Sequence, residues 1–177
     1  GSGLVTSGSG LPYVDAARVT GVRIVPMINT STLSARRKAY TGWRAVYEDL
    51  SRFVGDIYDE TSSYVKKDGK PLVGVFRADN VVKPDGWKKI KGNLAEGGYP
   101  IRVLPHLHPL KLMHRPNPVD YLEDYLRPLD GLLIWRAGAE RLDTLLPLFQ
   151  KAISRVGGDK TLFVLGGSGY WRPEKGW

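Results

Sequence analysis

A short, uninterrupted apolar run at residues 72–76 (Leu-Val-Gly-Val-Phe) places the strongest constraint on the fold. An Asp-Gly turn and Pro71 precede this run, and a proline disfavours helix for the residue before it. The run is too continuous for a half-exposed strand and too short for a helix, which is typical of a strand buried on both faces. Arg77 and Asp79, a cation and an anion, follow directly where the strand should emerge.

Strand-like and helix-like segments alternate along the rest of the chain. Apolar residues recur at steps of three and four from Trp43 to Tyr58, which predicts an amphipathic helix of about five turns. Further helices are predicted from Pro84 to the Gly-Gly pair at 97–98, from Asn117-Pro118 onward, and over 142–156, the last one kinked or begun at Pro147. The predicted strands cover residues 22–28, 72–76, 99–104, 132–135 and 162–165.

Five strands that alternate with helices indicate an α/β fold with parallel strands and right-handed crossovers. Two architectures fit this alternation: a partial TIM-type (β/α) barrel, which we expect, and a five-stranded doubly wound sheet. A closed barrel usually needs about 250 residues, and this chain has 177. We predict a flexible Gly/Ser-rich head at 1–12 and a single α/β domain at 13–177.

Composition excludes several classes of protein. The chain has no cysteine, so disulfides and thiolate metal sites are excluded, and the compartment cannot be inferred from redox chemistry. No apolar run approaches the ~20 residues that span a bilayer. The net charge of +8 permits contact with polyanions, but the basic residues are scattered and predict a solvated surface rather than a nucleic-acid site. A basic, non-enzymatic interaction module remains an alternative function.

Polar and aromatic residues follow every predicted strand. In parallel α/β folds the carboxyl ends of the strands share one edge and ligands bind there. Aromatic faces combined with hydrogen-bonding groups suit a sugar ring, so we predict a glycan site at this edge. Its candidate residues are Asn29, Arg77, His106, His108, Trp135, Arg136, Ser168, Tyr170 and Trp171.

Other kinds of site have weaker support in the sequence. The Gly-Gly-Ser-Gly segment at 166–169 lacks the spacing of a phosphate-binding loop, and its serine lacks the G-x-S-x-G context of a nucleophile. His106 and His108, two apart in an extended segment, could bind a metal together with Asp79, which gives a metal-dependent barrel hydrolase as an alternative function. Because the chain offers too few further ligands, we predict no metal and no other cofactor.

Three segments resemble the glycoside hydrolase family 71 and 99 type barrels. They are Asp68-Gly69-Lys70-Pro71 before a strand, Asp130-Gly131 at the entry to a later strand, and the strand at 161–165 that leads into Gly166-Gly167-Ser168-Gly169-Tyr170-Trp171. The resemblance runs in order from Trp43 to Trp177. It implies a (β/α)8 barrel that acts on an α-linked glycan, such as a mannoside or glucan, and a chain that is incomplete.

The resemblance also bears on catalysis. It implies a pair of catalytic glutamates in an E-x-x-E arrangement beyond the aromatic loop, and this sequence has no such motif before Trp177. It transfers only Asp79, as a carboxylate that contacts sugar, and Asp79 is therefore the single catalytic candidate. We expect a carbohydrate-active protein that hydrolyses or binds glycans. We also expect a partner chain or a second copy to cover an open sheet edge.

Overall fold

The computed structural model describes residues 12–30, 42–59, 63–135 and 139–165. The helices are α1 (Pro12–Thr20), α2 (Trp43–Asp59), α3 (Pro84–Glu96), α4 (Pro109–Met113), α5 (Pro118–Leu126) and α6 (Ala139–Val156). The strands are β1 (Met27–Asn29), β2 (Lys66–Lys67), β3 (Lys70–Phe76), β4 (Arg102–His106), β5 (Gly131–Trp135) and β6 (Thr161–Leu165). No described helix has both the length and the apolar character needed to cross a membrane.

The long strands run parallel and lie side by side in chain order. β3 pairs with β1 on one side and with β4 on the other, and β5 pairs with β6. β4 lies next to β5, where the backbone N–H of Asp130 donates to the carbonyl of Val103 at 3.2 Å. The prediction of alternating helices and parallel strands is confirmed. The described strands do not form a closed barrel.

Helices α2 to α6 cover one face of these strands. Strand residues such as Val73 and Val103 belong to the main core, which also contains the buried residues of α2, α3, α5 and α6. Alternate strand residues point to the opposite face, where Leu72, Leu104 and Leu133 form a smaller apolar cluster built from strand residues together with Val25 and Val65. A doubly wound sheet carries helices on both faces, so the described residues do not show that alternative.

Two Asp-Gly pairs have different structural roles. Asp68 and Gly69 both have positive φ angles, 51° and 72°, which is the backbone of a tight hairpin turn. They join β2 to β3, an antiparallel hairpin that the sequence did not predict. Asp130 instead bridges two strands, since its Oδ2 accepts a hydrogen bond from Val103 N at 2.8 Å. A side chain at Gly131 would collide with the backbone of Thr161 and separate β5 from β6.

Three predicted boundaries were wrong. The third long strand starts at Arg102 and ends at His106 rather than spanning 99–104. The first strand is shorter than predicted, Met27–Asn29, with a separate bridge at Ile24. α6 begins at Ala139 and contains Pro147 inside the helix. The helices over 43–59, 84–96 and 118–126 agree closely with the prediction.

Candidate functional site

The last residues of the adjacent strands β1, β3 and β4 form a row at the carboxyl edge of the sheet. Asn29 is the register partner of Phe76, and Phe76 is the register partner of His106. Because side chains alternate along a strand, these residues continue the face that carries Leu72 and Leu104, opposite the helices. An amide, a phenyl ring and an imidazole therefore lie side by side on the helix-free face.

His106 is packed firmly within this row. Its ring stacks on Phe76, with centroids 4.7 Å apart and planes inclined by 8°, and the residue is 5% exposed. Burial lowers the pKa of His106 to about 4; nearby Asp79 opposes this shift, while His108 and Arg77 add to it. The backbone N–H of Arg77 donates to His106 Nδ1 at 3.5 Å. The ring is thus neutral at pH 7 and carries its proton on Nε2.

The chain turns sharply after β3, at Arg77. This residue has a φ of 52°, a left-handed conformation that costs energy for a residue with a side chain. Thr30, which is fully buried, holds the turn in place because its hydroxyl lies 2.9 and 2.8 Å from the carbonyl oxygens of Phe76 and Arg77. The N–H of Ala78 donates to the carbonyl of His106 at 3.0 Å. The turn brings the Arg77 guanidinium over the Phe76 ring, 5.4 Å from its centroid.

Asp79 lies buried beneath this turn and connects three segments. Its Oδ1 accepts a hydrogen bond from the backbone N–H of His108 at 3.2 Å, and its Oδ2 accepts one from the Tyr121 hydroxyl at 2.9 Å. The ammonium group of Lys111 lies 3.9 Å from Oδ2, and the Asp79 side chain has 0% of its surface exposed. Both carboxylate oxygens are therefore engaged with the protein itself.

Tyr121 of α5 donates to Asp79, and Tyr125 packs against Tyr121. Their rings make an edge contact with centroids 5.3 Å apart, and the Tyr125 hydroxyl donates to the carbonyl of Val82 at 3.2 Å. Burial and the nearby Asp79 carboxylate raise the pKa of Tyr121, and burial raises the pKa of Tyr125 to about 12. Tyr121 is therefore a hydrogen-bond donor at any physiological pH. The Arg115 guanidinium lies 4.7 Å from the centroid of the Tyr121 ring.

His108 and Asp79 do not complete a metal site with His106. His108 is half-buried, and its Nδ1 is a buried atom without a hydrogen-bond partner in the described part of the chain. The described residues contain no group of three or more His, Asp or Glu side chains placed to hold a metal ion. The alternative of a metal-dependent hydrolase gains no support from this geometry.

The structure brings together five of the candidate residues taken from the sequence: Asn29, Arg77, Asp79, His106 and His108. Trp135 ends β5, at the strand position that pairs with Leu165. The remaining candidates, Arg136, Ser168, Tyr170 and Trp171, lie outside the described residues.

Sequence reasoning missed Phe76, Thr30 and Tyr121 as parts of the site. Phe76 could have been found from strand alternation, since it is four residues from Leu72 and ends the same strand. Tyr121 gives no such signal, because it lies 42 residues from its partner Asp79 and fits the apolar pattern of α5 equally well.

Comparison with solved structures shows a fold likeness. The structure of the GH99 endo-alpha-mannosidase from Bacteroides thetaiotaomicron superposes with a TM-score of 0.63 over 92% of this chain, at 18% sequence identity. This chain spans 46% of that protein, which is less than half of its length. The sequence matches no protein-family profile, and no curated protein matches it. At this identity the likeness concerns the fold alone.

Proposed function

We propose that this protein binds glycans at the carboxyl edge of its parallel strands, and that these strands form part of the wall of a (β/α) barrel. The observation that carries the proposal is the row of Asn29, Phe76 and His106 on the helix-free face. Sugar sites combine an apolar or aromatic surface with a few fixed polar groups. This row offers a phenyl ring between an amide and an imidazole.

The chemistry of the row matches a sugar in two respects. His106 presents an N–H at Nε2, and that atom has no hydrogen-bond partner among the described residues. Because the pKa of His106 is lowered to about 4, the ring is neutral at pH 7 and needs no counter-ion. Its N–H can therefore donate to a sugar hydroxyl directly. Arg77, whose guanidinium contacts Phe76, adds further donors at the margin of the row.

The fold likeness supports the same class of ligand. The endo-alpha-mannosidase from Bacteroides thetaiotaomicron shares this arrangement of strands and helices, and barrel enzymes place their sites at the carboxyl ends of strands. α-Linked mannosides and glucans are therefore the first ligands to test. The proposal concerns glycan binding; glycan hydrolysis by a carboxylate pair would require two acidic groups that reach the sugar beside the row.

We assign Asp79 a positioning role within this site. A general acid or base must reach its substrate within about 3 Å, and both oxygens of Asp79 already accept hydrogen bonds in a fully buried environment. Asp79 instead fixes the segment after β3 against the segment after β4. Arg77 and His108 belong to these two segments, so Asp79 sets their spacing.

Isothermal titration calorimetry of the full chain with α-linked manno- and gluco-oligosaccharides tests the proposal. Saturable binding should weaken about tenfold or more in His106→Gln, because the variant loses the ring stacked on Phe76 and, with it, the fixed position of the N–H donor. His114→Gln is the matched control, since His114 is exposed on the surface after α4. Circular dichroism and urea unfolding of each variant show that the fold is retained.

Two results would contradict the proposal. One is the absence of binding across the oligosaccharide panel by the folded wild-type chain. The other is binding that His106→Gln and His114→Gln weaken equally, since the site would then lie away from the row. A Phe76→Leu variant provides an independent check, because it keeps an apolar side chain and removes the aromatic face.

A further inference from the structure

We propose that the glycan bound at this edge is acidic, a sugar that carries a carboxylate, sulfate or phosphate group, and that Arg77 together with Nε2 of His106 binds the anionic group. This inference rests on the proposed glycan site and names the class of its ligand. The inference follows from a comparison of two groups of polar atoms at the edge: those that already form hydrogen bonds within the protein and those that remain open to a ligand.

In the two described connections at this edge, the carboxylate is already bound by the protein. The connections 77–83 and 107–117 carry four permanent cations, Arg77, Lys83, Lys111 and Arg115, and a single carboxylate, Asp79. Both oxygens of that carboxylate accept hydrogen bonds inside the protein, and its side chain has no exposed surface. A neutral sugar offers hydroxyl donors as well as acceptors, and the Asp79 carboxylate is not free to accept from those donors.

Two side chains among the described residues at the edge, Arg77 and His106, have donors that no carboxylate of the described residues binds. The Arg77 guanidinium contacts the Phe76 ring and has no carboxylate partner in the described part of the chain. A guanidinium that lies on an aromatic face keeps its edge N–H groups available, and these match the two oxygens of a carboxylate, sulfate or phosphate. His106, which stacks on the same Phe76 ring, adds the N–H of Nε2.

The position of Arg77 is fixed by the fold. Its backbone is left-handed, with a φ of 52°, and its carbonyl accepts from the Thr30 hydroxyl at 2.8 Å and from Asn80 N at 3.0 Å. Strained, over-determined backbone is typical of sites where a side chain must be held in place for a ligand. The strained turn directs a charged side chain to the row of Asn29, Phe76 and His106, where the sugar ring is proposed to bind.

Lys111 has a different relation to the site. Its ammonium donates to Asn80 Oδ1 at 2.9 Å and lies 3.9 Å from the Asp79 carboxylate, so part of its charge is balanced within the protein. Lys111 is still 45% exposed, and it adds to the positive potential around Arg77. We therefore assign the direct contact to Arg77 and a long-range contribution to Lys111.

Calorimetry with three matched oligosaccharides tests the inference: a neutral manno-oligosaccharide, an oligouronate of the same length, and a sulfated oligosaccharide. Inorganic sulfate alone is the fourth ligand. The oligouronate or the sulfated sugar should bind at least tenfold more tightly than the neutral sugar, and which of the two binds identifies the anionic group. Arg77→Gln should remove about tenfold or more of this preference, since a hydrogen bond to a charged group is lost. Lys151→Gln, which removes an equal charge from an exposed position on α6, should leave it unchanged.

Each other outcome overturns the inference in a recognisable way. Equal affinity for neutral and acidic sugars would refute it and leave the glycan site standing, whereas no binding by any sugar would refute both. Equal losses in Arg77→Gln and Lys151→Gln would show general attraction by net charge, without a defined contact. Sulfate that binds as tightly as the sulfated sugar would show a simple anion site. Urea unfolding of Arg77→Gln verifies that the turn remains folded.

Discussion

Replacement of Tyr121 by phenylalanine tests whether Asp79 anchors the two connections at the carboxyl edge. The substitution removes a single hydroxyl, which donates to Asp79 Oδ2 at 2.9 Å, and keeps the ring that contacts Tyr125 and Arg115. A carboxylate with no exposed surface cannot recruit bulk water in its place. We expect the loss of a hydrogen bond to a charged group, about 1.5–3 kcal/mol of unfolding free energy.

Tyr125→Phe is the matched control, four residues away on α5. It removes the same atom from the same residue type, but this hydroxyl donates to a neutral backbone carbonyl, that of Val82, at 3.2 Å. The expected cost is about 0.5–1.5 kcal/mol. For a chain of this size each kcal/mol corresponds to a Tm change of about 2–4 °C, so the two variants should be separable by calorimetry as well as by urea unfolding.

The assay combines urea unfolding at pH 7 with a proton–nitrogen NMR correlation spectrum. Unchanged m-values would show that both variants unfold from the same compact state. The backbone amide of His108, which donates to Asp79 Oδ1, should shift in Tyr121→Phe and remain in place in Tyr125→Phe. If Tyr121→Phe costs no more than Tyr125→Phe and leaves the His108 amide unmoved, Asp79 is not the anchor that we infer.

Three further predictions use other parts of the structure. His106 should keep the NMR shifts of a neutral ring from pH 8 to pH 5 and titrate near pH 4. Because the unfolded chain binds this proton already near pH 6.5, about 3 kcal/mol of unfolding free energy present above pH 6.5 should be lost as the pH falls to 4. The variant His106→Gln should lack this loss. Gly86→Ala should destabilise the protein by about 1–3 kcal/mol, because the new Cβ would lie 2.7 and 2.9 Å from side-chain carbons of Val82 and Trp43. Gly92→Ala on the same helix has no atom within 4 Å of the new Cβ and should stabilise the protein by about 0.5–1 kcal/mol. Equal thermal shifts in the two variants would refute the packing argument. Lys160→Met should lower the free energy of unfolding in urea by about 1–3 kcal/mol, since the Lys160 ammonium donates to the carbonyl oxygens of Leu126, at the end of α5, and Leu129, both at 2.7 Å. An unchanged unfolding midpoint would refute this contribution.

The sequence predicted the alternation of helices and parallel strands because burial leaves a local pattern. Residues 72–75 are all buried, which is why this run lacks the alternation of a half-exposed strand. The long helix α2 was equally clear, since one stripe of apolar residues faces the core. Local pattern was sufficient wherever an element packs against the main core.

The limits of β4 were mispredicted because its end is chemically unusual. Pro105 and His106 look like loop residues, since proline cannot donate to a ladder and histidine is polar. In the structure both are buried and pair with Val75 and Phe76. Stacking on Phe76 compensates for the burial of His106, and that contact depends on a register between strands that a single sequence does not display.

The role of Asp79 was also beyond the reach of local pattern. Its two strongest partners lie 29 and 42 residues away, and one of them is a backbone N–H that no sequence motif can reveal. The prediction that Asp79 contacts sugar rested on the resemblance to the glycoside hydrolase barrels and on its place after a strand. The structure adds that both oxygens of Asp79 already accept hydrogen bonds from the protein, and our assignment of a positioning role depends on this observation.

Net charge alone gives a misleading picture of this edge. The formal charge of +8 is spread along the chain, and a count of charged residues would treat Asp79 and Arg77 as mutually compensating neighbours. The fold separates them, since Asp79 is turned inward to His108 and Tyr121, while the left-handed backbone at Arg77 places its guanidinium over Phe76. The negative charge of the Asp79 carboxylate still acts on His106, where it opposes the lowering of the pKa by burial. Since the Asp79 side chain has no exposed surface, we propose that the edge binds anions through Arg77, with no free carboxylate from the connections 77–83 and 107–117 to compete.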